Sequence, residues 1–137
     1  MARRSIPDEV VRRDPDTVHP PIGPYTHQVE VRGHARWVVI AGQVGRTIDG
    51  KVPEDPIEQV ELALENLRRN LEAAGMEVFD LVKWNWYLVG QVDPVRRREV
   101  TLAWLGGHTP ASTLVYVAAL AAPEYRVEVE AWACRAE

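Results

Sequence analysis

The stretch DPIEQVELALENLRRNLEAAGM, residues 55–76, decides the fold because its apolar side chains recur at the spacing of a helix. The apolar positions, separated by three or four residues, are Ile57, Val60, Leu64, Leu67, Leu71 and Ala74. Such a stripe covers one side of a helix and predicts that this side faces a core. Asp55 is the predicted N-cap, Pro56 stands at the first helical position, and Glu58 follows three residues after the cap. Gly75 is predicted just past the helix end, and about 18 residues are too few for a coiled coil.

Two further segments continue the alternation of elements. DLVKWNWYLVG, residues 80–90, alternates between apolar and polar side chains as a half-buried strand does. The side of this strand that is predicted to pack under the first helix carries Val82, Trp84, Trp86 and Leu88. DPVRRREVTLAWLGG, residues 93–107, predicts a second helix. Asp93 and Pro94 repeat the cap-and-proline pattern, and Gly106 ends the helix.

Four more strands complete the predicted order. QVEVRGHARWVVIAGQV, residues 28–44, is rich in β-branched and aromatic residues around a turn at Gly33, which predicts two strands joined as a hairpin. STLVYVAAL, residues 112–120, and YRVEVEAWACRA, residues 125–136, predict one strand each. The order β-β-α-β-α-β-β indicates an α+β fold, with both helices on one face of the sheet.

Length and charge limit the class of protein. A chain of 137 residues suits one domain. Its net charge of -4 argues against a nucleic-acid-binding protein, which would present a basic face. VRRR, residues 95–98, is interpreted as a solvated helix face. Residues 1–18 are charged and contain two prolines. They are predicted to form a flexible N-terminal extension to a single domain over residues 19–137.

Cysteine and histidine usage predicts neither a disulfide nor a metal centre. Cys134 is the only cysteine, and the four histidines lack the spacing that would place two of them on one face. No apolar run approaches the ~18 residues that cross a bilayer, and the first residues lack the apolar core of a signal peptide. We therefore expect a protein of the reducing cytoplasm, with no metal and no membrane partner.

The other face of the predicted sheet mixes carboxylates with aromatic side chains. Its members are Lys83, Asn85, Tyr87, Glu128, Glu130 and Trp132. An antiparallel sheet can have one solvated face. Exposed tryptophan and tyrosine beside carboxylates are more typical of an interface, and this favours a homo-oligomer.

Four segments resemble the Rid family, the reactive-intermediate deaminases that are also called the YjgF family. The segments are PIGPYTHQVEV (21–31), VVIAGQVG (38–45), ALENLRRNLEAAGMEVFDLVKWNWYL (63–88) and VEVEAWA (127–133). Their order and spacing match from about His19 to Ala133. The resemblance implies a chorismate-mutase-like fold, a homotrimer with three clefts between its subunits, and a reaction without a cofactor. That reaction is the hydrolysis of an enamine or imine, such as 2-aminoacrylate, to a 2-oxo acid and ammonia.

One position departs from the family. Its carboxylate-binding arginine follows Pro-Ala at the start of the fifth strand, and Ser112 stands at that position here, in HTPASTLVYV (108–117). A serine hydroxyl can bind a ligand but cannot neutralise a carboxylate, so a simple 2-imino acid is not the expected substrate. Arg98 could supply the missing guanidinium from the second helix, or it could belong to the solvated triplet. Tyr116 replaces a glutamate that is common in the family and would suit a flatter, more apolar ligand.

Other predicted site residues follow the family pattern. Tyr25, after Gly-Pro, matches the cleft tyrosine, with a hydrophobic plug at an interface as the alternative. Glu128 matches the glutamate that positions water or transfers a proton, with a solvated strand carboxylate as the alternative. Gly42 and Gln43 match the strand end whose backbone lines the cleft.

Two functions from different classes follow. The first is a Rid-family, deaminase-like enzyme that acts on a small reactive nitrogen metabolite other than a simple 2-imino acid, with Glu128 and Tyr25 as catalytic residues. The second is a non-catalytic trimer whose clefts bind a metabolite or a regulatory partner, since a lost arginine is also what a retired enzyme would show. An endoribonuclease is the least favoured interpretation, because the chain is acidic and lacks a histidine pair.

Overall fold

The computed structural model describes residues 9–136, which form a mixed sheet, a smaller two-stranded sheet and two α-helices. In chain order the elements are β1 (Glu9–Arg13), β2 (Gln28–Arg32), β3 (Ala35–Val44), α1 (Pro56–Ala73), β4 (Leu81–Leu88), α2 (Pro94–Leu105), β5 (Ala111–Tyr116) and β6 (Val127–Ala136). A short 3-10 turn, Val78–Asp80, leads into β4. Neither α-helix combines the length and the apolar character that crossing a membrane would require.

Four strands form the main sheet in the order β3-β6-β4-β5. β6 is antiparallel to both β3 and β4, whereas β4 and β5 run parallel. Parallel neighbours need a crossover connection, and α2 supplies it. Both helices lie on one face of the main sheet, so the predicted α+β class with a mixed sheet is confirmed.

The core lies between the helices and the main sheet. α1 buries five residues of the predicted stripe together with Ala63; the five are Ile57, Val60, Leu64, Leu67 and Leu71. Ala74, the last predicted position, is instead the half-buried C-cap. β4 contributes Trp84 and Trp86, which are 1% and 3% exposed. Trp84 stacks on Trp104 of α2 with ring centroids 5.8 Å apart. The alternation predicted for β4 is therefore confirmed, and Trp84 connects α2 to the sheet.

Both ends of α1 carry the predicted stop and start signals. The Asp55 carboxylate accepts a hydrogen bond from the Ile57 amide at 3.0 Å, which satisfies a free donor of the first turn. At the other end Gly75 adopts a φ of 69°, in the left-handed region that glycine tolerates best. The amides of Gly75 and Met76 donate to carbonyls of the last turn at 2.9 and 2.8 Å. Met76 is buried, as the apolar contact of this type of helix end requires.

The hairpin predicted within residues 28–44 is wrong. β2 pairs antiparallel with β1, and β3 pairs with β6 in the main sheet. β1 offers β2 a full backbone ladder and complementary charge, including an ion pair between Arg13 and Glu30 at 3.1 Å. Residues 9–13 of the predicted flexible extension are therefore a strand. The rest of its N-terminal part, residues 1–8, lies outside the described residues.

Candidate functional site

A cavity of about 170 Å³ opens where the loop before β2 meets β4, α2 and β5. Its lining residues are Pro24, Tyr25, Trp84, Trp86, Arg97, Thr101, Ser112 and Leu114. Two predicted site residues, Tyr25 and Ser112, are thus brought together within one chain. The cavity combines tryptophan rings and aliphatic side chains with hydroxyls and a guanidinium.

Ser112 faces the cavity because of its place in the main sheet. It is the second residue of β5 and lies opposite Trp84 of β4 in the parallel ladder. Neighbours in register share a face of the sheet, so Ser112 lies on the helix side. The Trp84 Nε1–H donates a hydrogen bond to the Ser112 Oγ at 2.9 Å. Because the oxygen already accepts, the hydroxyl proton remains available for a ligand.

Tyr25 reaches the cavity because its loop is tied to the entry of β5. The amide of the neighbouring Thr26 donates to the Pro110 carbonyl at 3.2 Å, and its Oγ1 lies 2.7 Å from the Thr109 Oγ1. The Tyr25 Oη accepts a hydrogen bond from the Ile22 amide at 3.2 Å. The phenol proton is therefore also available for a ligand.

Arg97 is the cationic residue of the cavity and is not among the predicted site residues. On α2 it precedes the buried Thr101 by one turn and the buried Leu105 by two turns. Its Nε is buried and has no hydrogen-bond partner within residues 9–136. The spacing of four from Thr101 and eight from Leu105 is the sequence signal that identifies it, since this spacing defines one side of a helix.

Two predicted ligand-binding residues lie outside this cavity. Arg98 is exposed and lines a neighbouring groove of about 570 Å³ together with Ile22 and Val95. Tyr116 is 58% exposed and lines a third groove, of about 710 Å³, between the N-termini of α1 and α2. Within one chain, therefore, neither side chain shares a cavity with Ser112.

Glu128 lies on the opposite face of the main sheet from Ser112. It pairs with Tyr87 across β6 and β4, and Tyr87 alternates with the core tryptophans of β4. A Cβ at Gly42 would overlap the Glu128 carboxylate, so the glycine leaves the space that this carboxylate occupies. Gln43 folds back on its own strand, and its Nε2 donates to a carbonyl two residues earlier at 2.9 Å.

A second carboxylate on this face is fixed more firmly. Glu130 accepts hydrogen bonds from the Tyr87 hydroxyl at 2.6 Å and from the Asn85 amide at 3.0 Å. These bonds, that of Tyr87 most, hold the pKa of Glu130 below its usual value, and the same bond raises the pKa of Tyr87. Glu128 accepts no such bond from the described residues. Of the two carboxylates, Glu130 is therefore the one that side-chain donors hold in place, whereas Glu128 has no such donor among the described residues.

Four of the predicted site residues fall into two groups in one chain. Tyr25 and Ser112 line the cavity on the helix side, whereas Glu128 and Gly42 lie together on the other face of the main sheet. The sheet itself separates the groups, so they cannot act on one ligand within a single chain. A site that includes both requires a second chain.

Comparison with known proteins places the chain in a family. Residues 17–135 match the sequence model of the family described as endoribonuclease L-PSP. The chain is 34% identical over 126 residues to the mouse protein named 2-iminobutanoate/2-iminopropanoate deaminase. The aligned residues cover 89% of this chain and 90% of that protein. It is 34% identical over 115 residues to a RutC family protein of Pyrococcus horikoshii, with coverage of 81% and 86%.

Solved structures share the fold. The Rid family protein YyfB from Yersinia pestis superposes with a TM-score of 0.81 at 30% identity, covering 92% of this chain and 98% of that one. TdcF from Escherichia coli, solved with bound serine, gives a TM-score of 0.66 at 30% identity, with coverage of 85% and 91%. These matches confirm the chorismate-mutase-like fold that the sequence resemblance implied. Since the family's sequence model spans most of the chain and relatives exceed 30% identity over more than four-fifths of it, the chain belongs to the Rid family, also called the YjgF family.

Proposed function

We propose that the protein is a cofactor-free enamine or imine hydrolase, acting at clefts between the subunits of a homotrimer. The deaminase names of the mouse and Escherichia coli relatives, 34% and 30% identical, support this reaction class. The proposed substrate is a small reactive nitrogen metabolite other than a simple 2-imino acid. The observation that carries this choice is the Ser112 hydroxyl, hydrogen-bonded to Trp84, where the family's carboxylate-binding arginine is expected.

A homotrimer supplies the second chain that the divided site requires. When a neighbouring subunit packs its helix-free sheet face against the cavity, its Glu128 meets Tyr25 and Ser112. That face exposes apolar surface, since Trp37 is 49% and Val39 is 69% exposed. Large apolar side chains beside polar groups are typical of the centre of an interface. These exposed side chains support the subunit arrangement.

Hydrolysis of an imine needs one base that carries protons between water and the nitrogen beside the reacting carbon. Glu128 takes a proton from water as the water oxygen bonds to the carbon of a protonated imine, which gives a carbinolamine. Glu128 then returns this proton to the nitrogen. As the C–N bond breaks, the hydroxyl proton passes through Glu128 to the departing ammonia, so the products are a carbonyl compound and ammonium. Tyr25 orients the ligand with its free phenol proton.

The substrate choice is tested with 2-aminoacrylate that is generated in the assay. The measured quantity is the rate at which the enamine disappears. We expect negligible turnover by the wild-type protein and partial activity in Ser112→Arg, because a guanidinium at this position binds the carboxylate. The gain should vanish in Ser112→Arg combined with Glu128→Ala, which still binds but moves no proton. Ser112→Ala is the matched control and should gain nothing. Rapid turnover of 2-aminoacrylate by the wild-type protein would refute the substrate choice.

A non-catalytic trimer that binds a metabolite is the second candidate. The same residue favours it, because Ser112 cannot neutralise a substrate carboxylate. Under this alternative, small ligands bind at the subunit boundary, yet neither the wild type nor Ser112→Arg hydrolyses any imine. Ammonia release measured over a panel of imines, with and without a carboxylate, separates the two functions.

A further inference from the structure

We propose that Arg97 binds the anionic group of the ligand. The cavity then binds a short-chain carboxylate through a cation on α2 rather than through one on β5. This inference rests on the proposed function for the location of the site and names its ligand class. It differs from the sequence-based hypothesis, which considered Arg98 for such a role beside the alternative of a solvated helix face. Binding of the anion can be measured without turnover.

The three consecutive arginines of α2 differ in what surrounds them. Arg96 pairs with Asp55 of the α1 cap at 3.4 Å, and Arg98 is exposed to solvent. Arg97 is half-buried and lines the cavity, and its buried Nε lacks a hydrogen-bond partner in the described part of the chain. Removing a cationic donor from water without a partner is unfavourable. A bound anion offsets this cost. In the proposed trimer, Glu128 of the partner subunit acts at the reacting carbon, so the anion that we assign to Arg97 is the ligand carboxylate.

Two other polar groups of the cavity, the hydroxyls of Ser112 and Tyr25, are donors as well, whereas the Thr101 hydroxyl uses its proton inside the protein. The oxygens of Ser112 and Tyr25 already accept hydrogen bonds inside the protein, so each hydroxyl retains a proton to donate. The Thr101 hydroxyl donates to the Arg97 carbonyl at 2.8 Å. None of the described residues that line the cavity carries a carboxylate. Within one chain, these donors meet no carboxylate in the cavity lining, and they complement a ligand carboxylate, whose oxygens only accept.

Size and shape restrict the anion further. Apart from its polar groups, the cavity presents Trp84, Trp86 and Leu114, which suit an aliphatic chain. Its volume of about 170 Å³ corresponds to roughly five or six water molecules, so it admits the carbon chain of a pentanoate, whose carboxylate oxygens would lie against the Arg97 wall. Arg97 and Ser112 stand on different walls. We therefore expect substrates whose carboxylate is not attached directly to the reacting carbon.

Pentanoate and pentanamide are suitable probes because they match in size and differ in charge. Their affinities are measured on the full-length protein by calorimetry and by tryptophan fluorescence. The wild type should bind pentanoate at least tenfold more tightly than pentanamide, and Arg97→Met should remove that preference, as loss of a charged hydrogen bond predicts (roughly tenfold or more). Arg97→Lys should retain part of it, since lysine keeps the charge but loses the planar fork. Arg96→Gln is the matched control and should change neither affinity.

Thermal unfolding separates ligand binding from a structural role. Arg97→Met should unfold at the same temperature as the wild type or higher, because it removes an unpaired buried donor; a marked fall would contradict the proposal. Equal affinity for both probes, no binding of pentanoate at millimolar concentration, or loss of the preference in Arg98→Gln instead of Arg97→Met would each overturn it. Arg97-dependent binding without hydrolysis of any imine would refute the proposed function and support this inference. Imine hydrolysis that is insensitive to Arg97→Met would do the reverse.

Discussion

At the scale of single residues, Gly42 and Gly45 lie three positions apart and leave room for different neighbours. A Cβ at Gly42 would meet the end of the flexible Glu128 side chain. A Cβ at Gly45 would approach the Gln59 backbone of α1, with the Gln59 Cα at 2.5 Å. A carboxylate can swing away, whereas a packed helix backbone cannot. Gly42 therefore sets the position of the Glu128 carboxylate, and Gly45 sets the distance between α1 and the sheet.

We expect Gly42→Ala to slow imine hydrolysis at least tenfold with little change in unfolding temperature, because the displaced Glu128 carboxylate no longer meets the attacking water (a 1 Å misplacement can cost about 100-fold). Gly45→Ala is the comparison and should lower the unfolding temperature by several degrees, since overpacking costs about 1–3 kcal/mol. Both variants are assayed for ammonia release and for thermal unfolding. Full activity in Gly42→Ala would show that the Glu128 position does not limit the reaction.

At the scale of elements, His108 connects β1 to the main sheet. Its Nε2 lies 2.7 Å from the Leu81 carbonyl at the start of β4, and its Nδ1 lies 2.9 Å from the Arg12 guanidinium of β1. The neutral tautomer with the proton on Nε2 satisfies both contacts, since it donates to the carbonyl and accepts from the guanidinium. Burial lowers the pKa of His108, and Arg12 acts in the same direction. Asp80 and the Leu81 carbonyl act against this shift.

Acid should therefore destabilise this junction. Below about pH 6.5, the ordinary pKa of histidine, the unfolded chain binds a proton that folded His108 resists, so the free energy of unfolding falls as the pH falls through the folded pKa. His108→Gln does not titrate and should lose this part of the pH dependence. Urea unfolding between pH 8 and pH 5 measures the slope in both proteins. Identical pH slopes of the unfolding free energy in the two proteins would contradict the role of His108. Carboxylates with a lowered pKa, such as Glu130, titrate at lower pH and do not interfere with this comparison.

Helix α1 and the region before it show which elements a sequence can predict. The cap, the apolar stripe and the terminal Gly75 are local signals, and they lie where they were expected except for Ala74, the last position of the stripe, which is the C-cap. The pairing of β2 is not local, because its partner β1 lies 15 residues earlier in a segment whose charges resemble those of a flexible arm. A turn signal at Gly33 therefore predicted the wrong neighbour.

The candidate site was predictable only in part. Family motifs identified Tyr25 and Ser112, which share the cavity. They did not distinguish Arg97 from Arg98, because neighbours on a helix point about 100° apart and only the period set by Thr101 shows which one turns inward. The division of the site between two sheet faces depends on the register of β4 with β5 and β6, which no local pattern specifies.

At the scale of the whole molecule, the proposed assembly has a definite mass. Light scattering should return three times the chain mass of 15.5 kDa at micromolar concentration. Val39→Asp should shift the protein towards monomers, because it places a charge within the buried centre of the proposed interface. Ile48→Asp is the matched control, since Ile48 is 99% exposed on the turn that follows β3. A wild-type protein that stays monomeric would remove the basis for a shared cleft.

The separation of Glu128 from the cavity also means that two inactive variants can complement each other in a mixed oligomer. In the proposed trimer, a Glu128→Ala subunit still offers an intact cavity, and a Tyr25→Phe subunit still offers an intact carboxylate. Unfolded together and refolded at equal amounts, the two inactive variants form mixed rings in which roughly one cleft in four combines both intact halves, as random assembly around a threefold axis requires. The mixture would then be active although neither variant is active alone. Such complementation would show that the functional unit is the boundary between two chains and not the single chain.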